Sequence, residues 1–92
     1  MLQVRARVLI RGLVQGVFFR RQIVALARRL HVVGWVRNLP DGGVEAVMEG
    51  EKEKLDELVQ FCNVGPSGAR VKSVEVEWSE STGEFRGFRI AH

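Results

Sequence analysis

The stretch "GLVQGVFFRRQ", Gly12 to Gln22, sets two glycines four residues apart before two phenylalanines and two arginines. A glycine loop entering a helix can turn successive backbone N–H groups toward one point, and the helix start adds unpaired N–H groups and a positive partial charge. An arginine there supplies a planar fork that grips two oxygens at once, which lysine cannot reproduce. Downstream, Asn38 carries a neutral amide that both donates and accepts. It can orient a water but has no useful pKa, so it is not a general base. Brought together, these parts would bind a phosphate or a carboxylate. Each also has a plainer use: the glycines as a turn, the arginine as a solvated helix residue, the asparagine as a turn former.

Whether they meet depends on the elements around them. Val4, Ala6, Val8 and Ile10 alternate with Arg5, Arg7, Leu9 and Arg11, the period of a strand with one buried face. The glycine loop follows, its two phenylalanines reading as exposed. From about Phe19 to His31, Ile23, Leu26, Ala27 and Leu30 form the stripe of an amphipathic helix. "GWVRNL" is a short strand, "LPDGG" a turn, and "VEAVMEG" the second arm of a hairpin. A second helix from about Glu51 to Asn63 carries Leu55, Leu58, Val59 and Cys62 on one stripe, with Glu51 and Glu53 suited to its positive end. Val74, Val76 and Trp78 form a fourth strand, and Phe88 and Ile90 a possible short fifth. The order βαββαβ predicts an α+β ferredoxin-like sandwich over residues 1–92, an antiparallel sheet with two helices on one face. A helix of about 11 residues descends ~16 Å and a six-residue strand climbs back about 20 Å. Asn38 should therefore return to the end of the domain that holds Gly16 and Arg20.

Ninety-two residues suffice for one core and not for two. No apolar run approaches the ~20 residues that span a bilayer. The first residues, "MLQVRARVLIRG", lack the apolar centre of a signal peptide. A single cysteine, Cys62, forms no internal disulfide and fits a cytoplasmic protein. Net charge is only +3, but residues 1–39 hold eight arginines and no acid, while residues 40–92 hold six bases and all eleven acids. The split, +8 against −5, points to a positive face and an anionic partner.

The residues quoted above resemble a known family. "IRGLVQGVFFR", Ile10 to Arg20, is similar to the first signature of the acylphosphatases at every fixed position, and "GWVRNLPDGGVEAVMEG", Gly34 to Gly50, to the second. The similarity extends over the whole chain and its element order. It implies a metal-independent, cofactor-free hydrolase that cleaves the carboxyl–phosphate bond of small acyl phosphates, giving a carboxylate and inorganic phosphate. It further implies that Arg20 binds the phosphoryl group and Asn38 positions the attacking water. The backbone of Gln15, Gly16, Val17, Phe18, Phe19 and Arg20 would cradle the phosphate, with Arg21 a solvated neighbour. A monomer is expected, with neither nucleic-acid nor membrane partners. The chain departs from many relatives at Leu13, where arginine is frequent, in lacking tyrosine, and in closing with "FRIAH" rather than an aromatic residue.

Rival chemistries find less support. Cys62 continues a buried stripe, His31 falls at a helix end, and His92 lies at the end of the chain. Metal-ligand spacing is absent, and no Gly-Lys-Ser/Thr follows the loop to make a Walker motif. An RNA-binding sheet of this topology would carry stacking aromatics on its central strands. The first strand and "VEAVMEG" have none. A counterpart of the acylphosphatase-like domain of larger carbamoyl-transfer proteins is a third possibility, and the Met-initiated architecture favours a free-standing enzyme.

Overall fold

A computed structural model describes residues 2–92. Strand β1 (Gln3–Leu13) leads to helix α1 (Phe19–Arg29), then β2 (Val33–Asn38), β3 (Val44–Glu51), helix α2 (Lys52–Val64), β4 (Arg70–Glu80) and β5 (Phe88–Ile90). The sheet order is β4-β1-β3-β2-β5. Period-2 alternation places Ala6, Val8 and Ile10 of β1 and Val44, Ala46 and Met48 of β3 on one face, all fully buried. Ile23 and Ala27 of α1 and Leu55, Leu58 and Cys62 of α2 close over that face in one continuous core, so both helices lie on the same side, as predicted.

Three details differ from the sequence expectation. The sheet is antiparallel across its first four strands, but β5 pairs parallel to β2, Phe88 opposite Gly34 and Ile90 opposite Val36. Topology requires this direction. β4 runs antiparallel to β1 and ends at the foot of the sheet, so a chain crossing there to the far edge re-enters alongside β2. Second, β1 continues past Ile10 to Leu13, and Gly12 lies at a bulge in the β1–β4 pairing rather than in the loop. Its φ is +133°, and a Cβ there would sit 2.1 Å from the Arg70 carbonyl oxygen. Third, Phe19 is buried rather than exposed, and Leu26 and Leu30 are only half-buried at the margin of the core.

The crossover from β4 to β5 is held from the other face of the sheet by Glu49. This buried carboxylate accepts hydrogen bonds from the Thr82 N–H (3.0 Å), the Thr82 hydroxyl (2.9 Å) and the Gly83 N–H (3.0 Å), and faces Arg5 at 3.2 Å. Beside it, Glu45 bridges Arg7 and Arg37, each at 2.7 Å. Arg28 of α1 donates to the Phe88 carbonyl oxygen at 3.1 Å, and Ala91 N–H to Val36 oxygen at 2.8 Å. Together these bonds fix β5 and carry Ile90 and His92 up to the end of the sheet where β2 finishes.

Burial alone would raise the carboxyl pKa of Glu49 and of Glu45. Hydrogen bonds from Thr82 and Gly83 in one case, and from Arg37 and Arg7 in the other, outweigh it and hold both below the ordinary value of 4.5. Their contribution to stability is therefore present above pH 4.5 and is lost as pH falls through the lowered folded-state values. We expect Glu49→Ala to destabilise the fold by roughly 2–4 kcal/mol, because buried donors lose their acceptor. Urea unfolding at neutral pH measures this, and Glu49→Gln should show a shallower loss of stability on acidification than the parent.

Candidate active site

The loop between β1 and α1 is pinned at both ends by buried side chains. Val14 and Phe19 are each 1% exposed, and the Phe19 ring meets Phe61 of α2 edge-on with centroids 5.8 Å apart. Between these anchors the backbone alternates in hand, with Gly16 at φ +73° and Phe18 at φ +63°. Nothing lies within 4 Å of a Cβ built on Gly16, so its glycine serves conformation rather than space. Alternating hands curve the chain so that successive N–H groups converge, the geometry of an anion nest. Phe18 is the N-cap of α1, and no side chain caps the helix. Among the described residues no protein acceptor meets the N–H groups of residues 16–20, leaving them free for a ligand.

Around this nest a cleft of about 350 Å³ is lined by Val14, Gly16, Phe18, Phe19, Arg20, Arg21, Asn38, Ile90 and His92. The fold thus brings Arg20 and Asn38, 18 positions apart in sequence, to one cavity. Arg20 is partly buried and has no ion-pair partner among the described residues. The Asn38 Oδ1 is buried yet receives no protein hydrogen bond. An acceptor desolvated in this way costs about 1–3 kcal/mol unless something donates to it.

Two residues whose backbone is the expected cradle turn their side chains away from the cleft. The Val17 side chain packs against the core instead of lining the cleft. The Gln15 amide leaves the cleft as well: its Nε2 donates to the carbonyl oxygens of Leu39 at 2.7 Å and Gly43 at 2.8 Å. Those residues close the turn after Asn38, where Leu39 N–H donates to Gly43 oxygen at 2.8 Å. Asp41, in the same turn, accepts from the Gly43 N–H at 3.0 Å and pairs with Arg11. The Gly43 bond and Arg11 hold its carboxyl below the ordinary range. Gln15 therefore ties the β1–α1 loop to the turn that follows Asn38.

Ile90, His92 and Arg21 line the cleft without having been expected there. For Ile90 and His92 the missing signal was the parallel docking of β5. For Arg21 it was only that i and i+1 at a helix start can share a cavity. Leu13, 57% exposed, does not line the cleft. Cys62 is fully buried, and burial pushes its thiol pKa up to about 12, which removes it as a nucleophile. No cluster of three or more His, Cys, Asp or Glu side chains is present among the described residues.

Residues 6–90 match the acylphosphatase family. The chain belongs to the acylphosphatase family. It is 52% identical over 88 residues to an acylphosphatase of Anaeromyxobacter dehalogenans, covering 96% of this chain and 95% of that one. It is 50% identical over 91 residues to an acylphosphatase of Pelotomaculum thermopropionicum, covering 99% of both. Among solved structures, the acylphosphatase of Bacillus subtilis superposes with a TM-score of 0.93 at 31% identity, over 97% of this chain and 99% of that one. The two acylphosphatase signatures fall on the nest and on the β2–β3 hairpin, the two segments that Gln15 joins.

That junction is testable. Gln15→Leu removes both donors and should lower kcat roughly tenfold or more while leaving the unfolding midpoint within a few degrees. In Gln15→Glu a deprotonated carboxylate would face two carbonyl oxygens, so activity should recover on acidification to a degree the parent does not show. A pH–rate comparison of the two proteins reads this directly.

Proposed function

We propose that the chain hydrolyses the carboxyl–phosphate bond of small acyl phosphates, with Arg20 and the loop N–H groups binding the phosphoryl group and Asn38 positioning the water. The observation that carries this reading is that Asn38 lines the same cleft as the free N–H nest and the unpaired Arg20.

The parts suit phosphoryl transfer, which depends mainly on alignment and on stabilising charge over the equatorial oxygens. Guanidinium and N–H donors supply that positive charge without a metal ion. The Asn38 amide orients the water so that a lone pair of its oxygen points at phosphorus. As the water oxygen bonds to phosphorus, the acyl oxygen–phosphorus bond breaks and its electron pair leaves on the carboxylate. A carboxylate is a good leaving group and needs no protein acid. No side-chain base lines the cleft beside Asn38 other than the exposed His92, so the substrate phosphate takes the water proton. The enzyme acts as a monomer in the cytoplasm and requires neither cofactor nor nucleic acid. No described helix is long and apolar enough to cross a membrane.

Benzoyl phosphate hydrolysis in the presence of EDTA tests the reading. The parent should turn over at undiminished rate with chelator. Arg20→Ala should lose about a hundredfold to a thousandfold in kcat and bind inorganic phosphate weakly. Asn38→Ala should lose a comparable factor in kcat while phosphate still inhibits at nearly parental concentration. Parental rates in both variants would remove these residues from the mechanism.

A further inference from the structure

One side chain at the cleft changes charge near neutral pH. β5 ends at Ile90, and the Ala91 N–H donates to the Val36 carbonyl oxygen at 2.8 Å, so the chain brings the exposed His92 to the cleft that Arg20 and Asn38 line. Imidazole is the only side chain that ordinarily gains or loses a proton between about pH 5 and 8. The other histidine, His31, stands just past the Leu30 cap of α1, a helix length of about 16 Å from Arg20. It lines no part of the cleft.

The remaining charges around His92 are constant over that range. α1 presents Arg20 and Arg21, the latter with its guanidinium 5.9 Å from the Phe18 ring, while β2 contributes the neutral Asn38 and the loop only glycine backbone and apolar side chains. Arg20 and Arg21, like the other arginines of α1 and β5, pair with no acid among the described residues. The acids of the adjoining turn and strand are engaged elsewhere, Asp41 with Arg11 and Glu45 with Arg7 and Arg37. An α-carboxylate on His92 itself is ionised throughout, so its effect is constant.

A cleft of about 350 Å³ has the volume of a sphere about 9 Å across, so an anion inside it lies within the ~10 Å over which a lining charge acts at 0.1 M salt. We infer that protonated His92 is a further cationic binder of the phosphoryl group, beside Arg20 and the loop N–H groups, and that the cleft holds its anion more tightly as pH falls through the imidazole range. The inference rests on the acyl-phosphate reading above and adds a binding residue to it. A base acting on the water would have the opposite signature, since it works deprotonated and gains as pH rises. Imidazolium has no free lone pair, so its effect falls on affinity.

Sulfate is the probe, a tetrahedral dianion whose own charge is constant across this range, so any pH dependence of its binding belongs to the protein. Its dissociation constant is read from the backbone amide NMR shifts of Gly16 and Arg20 at fixed, low ionic strength. In the parent it should fall about threefold to tenfold between about pH 8 and pH 5.5, the scale of one partly solvated ion pair. Added chloride should flatten the profile. His92→Gln should bind weakly and equally at both ends, and His92→Lys tightly at both. His31→Asn, where asparagine suits the φ of +59°, should keep the parental slope. A flat parental profile, no sulfate binding at any pH, a slope that survives His92→Gln, or one lost equally in His31→Asn would overturn the inference. Sulfate binding with the expected slope but no hydrolysis of benzoyl phosphate would instead strike the acyl-phosphate reading.

Discussion

The burial of Val14 and Phe19 on either side of a four-residue loop is the constraint from which the site follows. A nest of outward-facing N–H groups is an unfavourable thing for a chain to hold, since each donor forgoes an internal partner and two residues sit at positive φ. Fully burying side chains of this size contributes about 1.5–3 kcal/mol each, enough to hold the loop in that shape without an anion. Phe19 matters doubly because it is also the first residue of α1. Its place against Phe61 fixes where the helix begins and hence where Arg20 and the positive end of the helix dipole point. The Asn38 side of the cleft is fixed separately, by the β2–β3 register that ends with Asn38 opposite Val44. The Gln15 amide is what makes the two sides one unit.

Charge is organised around that unit by segregation. On the sheet face away from the helices, the buried carboxylates of Glu45 and Glu49 pair with Arg5, Arg7 and Arg37, and Glu49 also clamps the β4–β5 crossover. Along α1 and β5 the arginines are left without acids. The first population serves structure and the second sets the potential at the cleft, so the modest net charge of +3 conceals a directed field.

The order of elements, the shared face of the helices and the convergence of Arg20 with Asn38 were legible from periodicity and from matched helix and strand lengths. These depend on local spacing, which a sequence carries directly. The two signatures then selected acyl-phosphate chemistry where residue types alone stopped at an anion site. What stayed hidden depends on distant partners. Phe19 read as exposed because its helix partner Phe61 is 42 positions away. The bonds of the Gln15 side chain were not legible because the carbonyl oxygens it meets lie beyond the next helix and strand. Ile90 read as part of a closing strand and His92 as a chain end, neither beside the cleft, because only the crossover held by Glu49 turns the last strand parallel to β2.

The interior position of β1 has a consequence for how the molecule comes into being. β1 is the first strand in sequence, yet its neighbours are β3 and β4, so Ile10 waits for Val44 and for Val74 before it is flanked on both sides. Pairings of that sequence separation must close long loops before they are rewarded, which makes for slow folding relative to helical domains of equal size. The loop that follows β1 is thus synthesised early and completed late. On the ribosome it emerges as a flexible tether, and it becomes a binding surface only after nearly the whole chain has been translated.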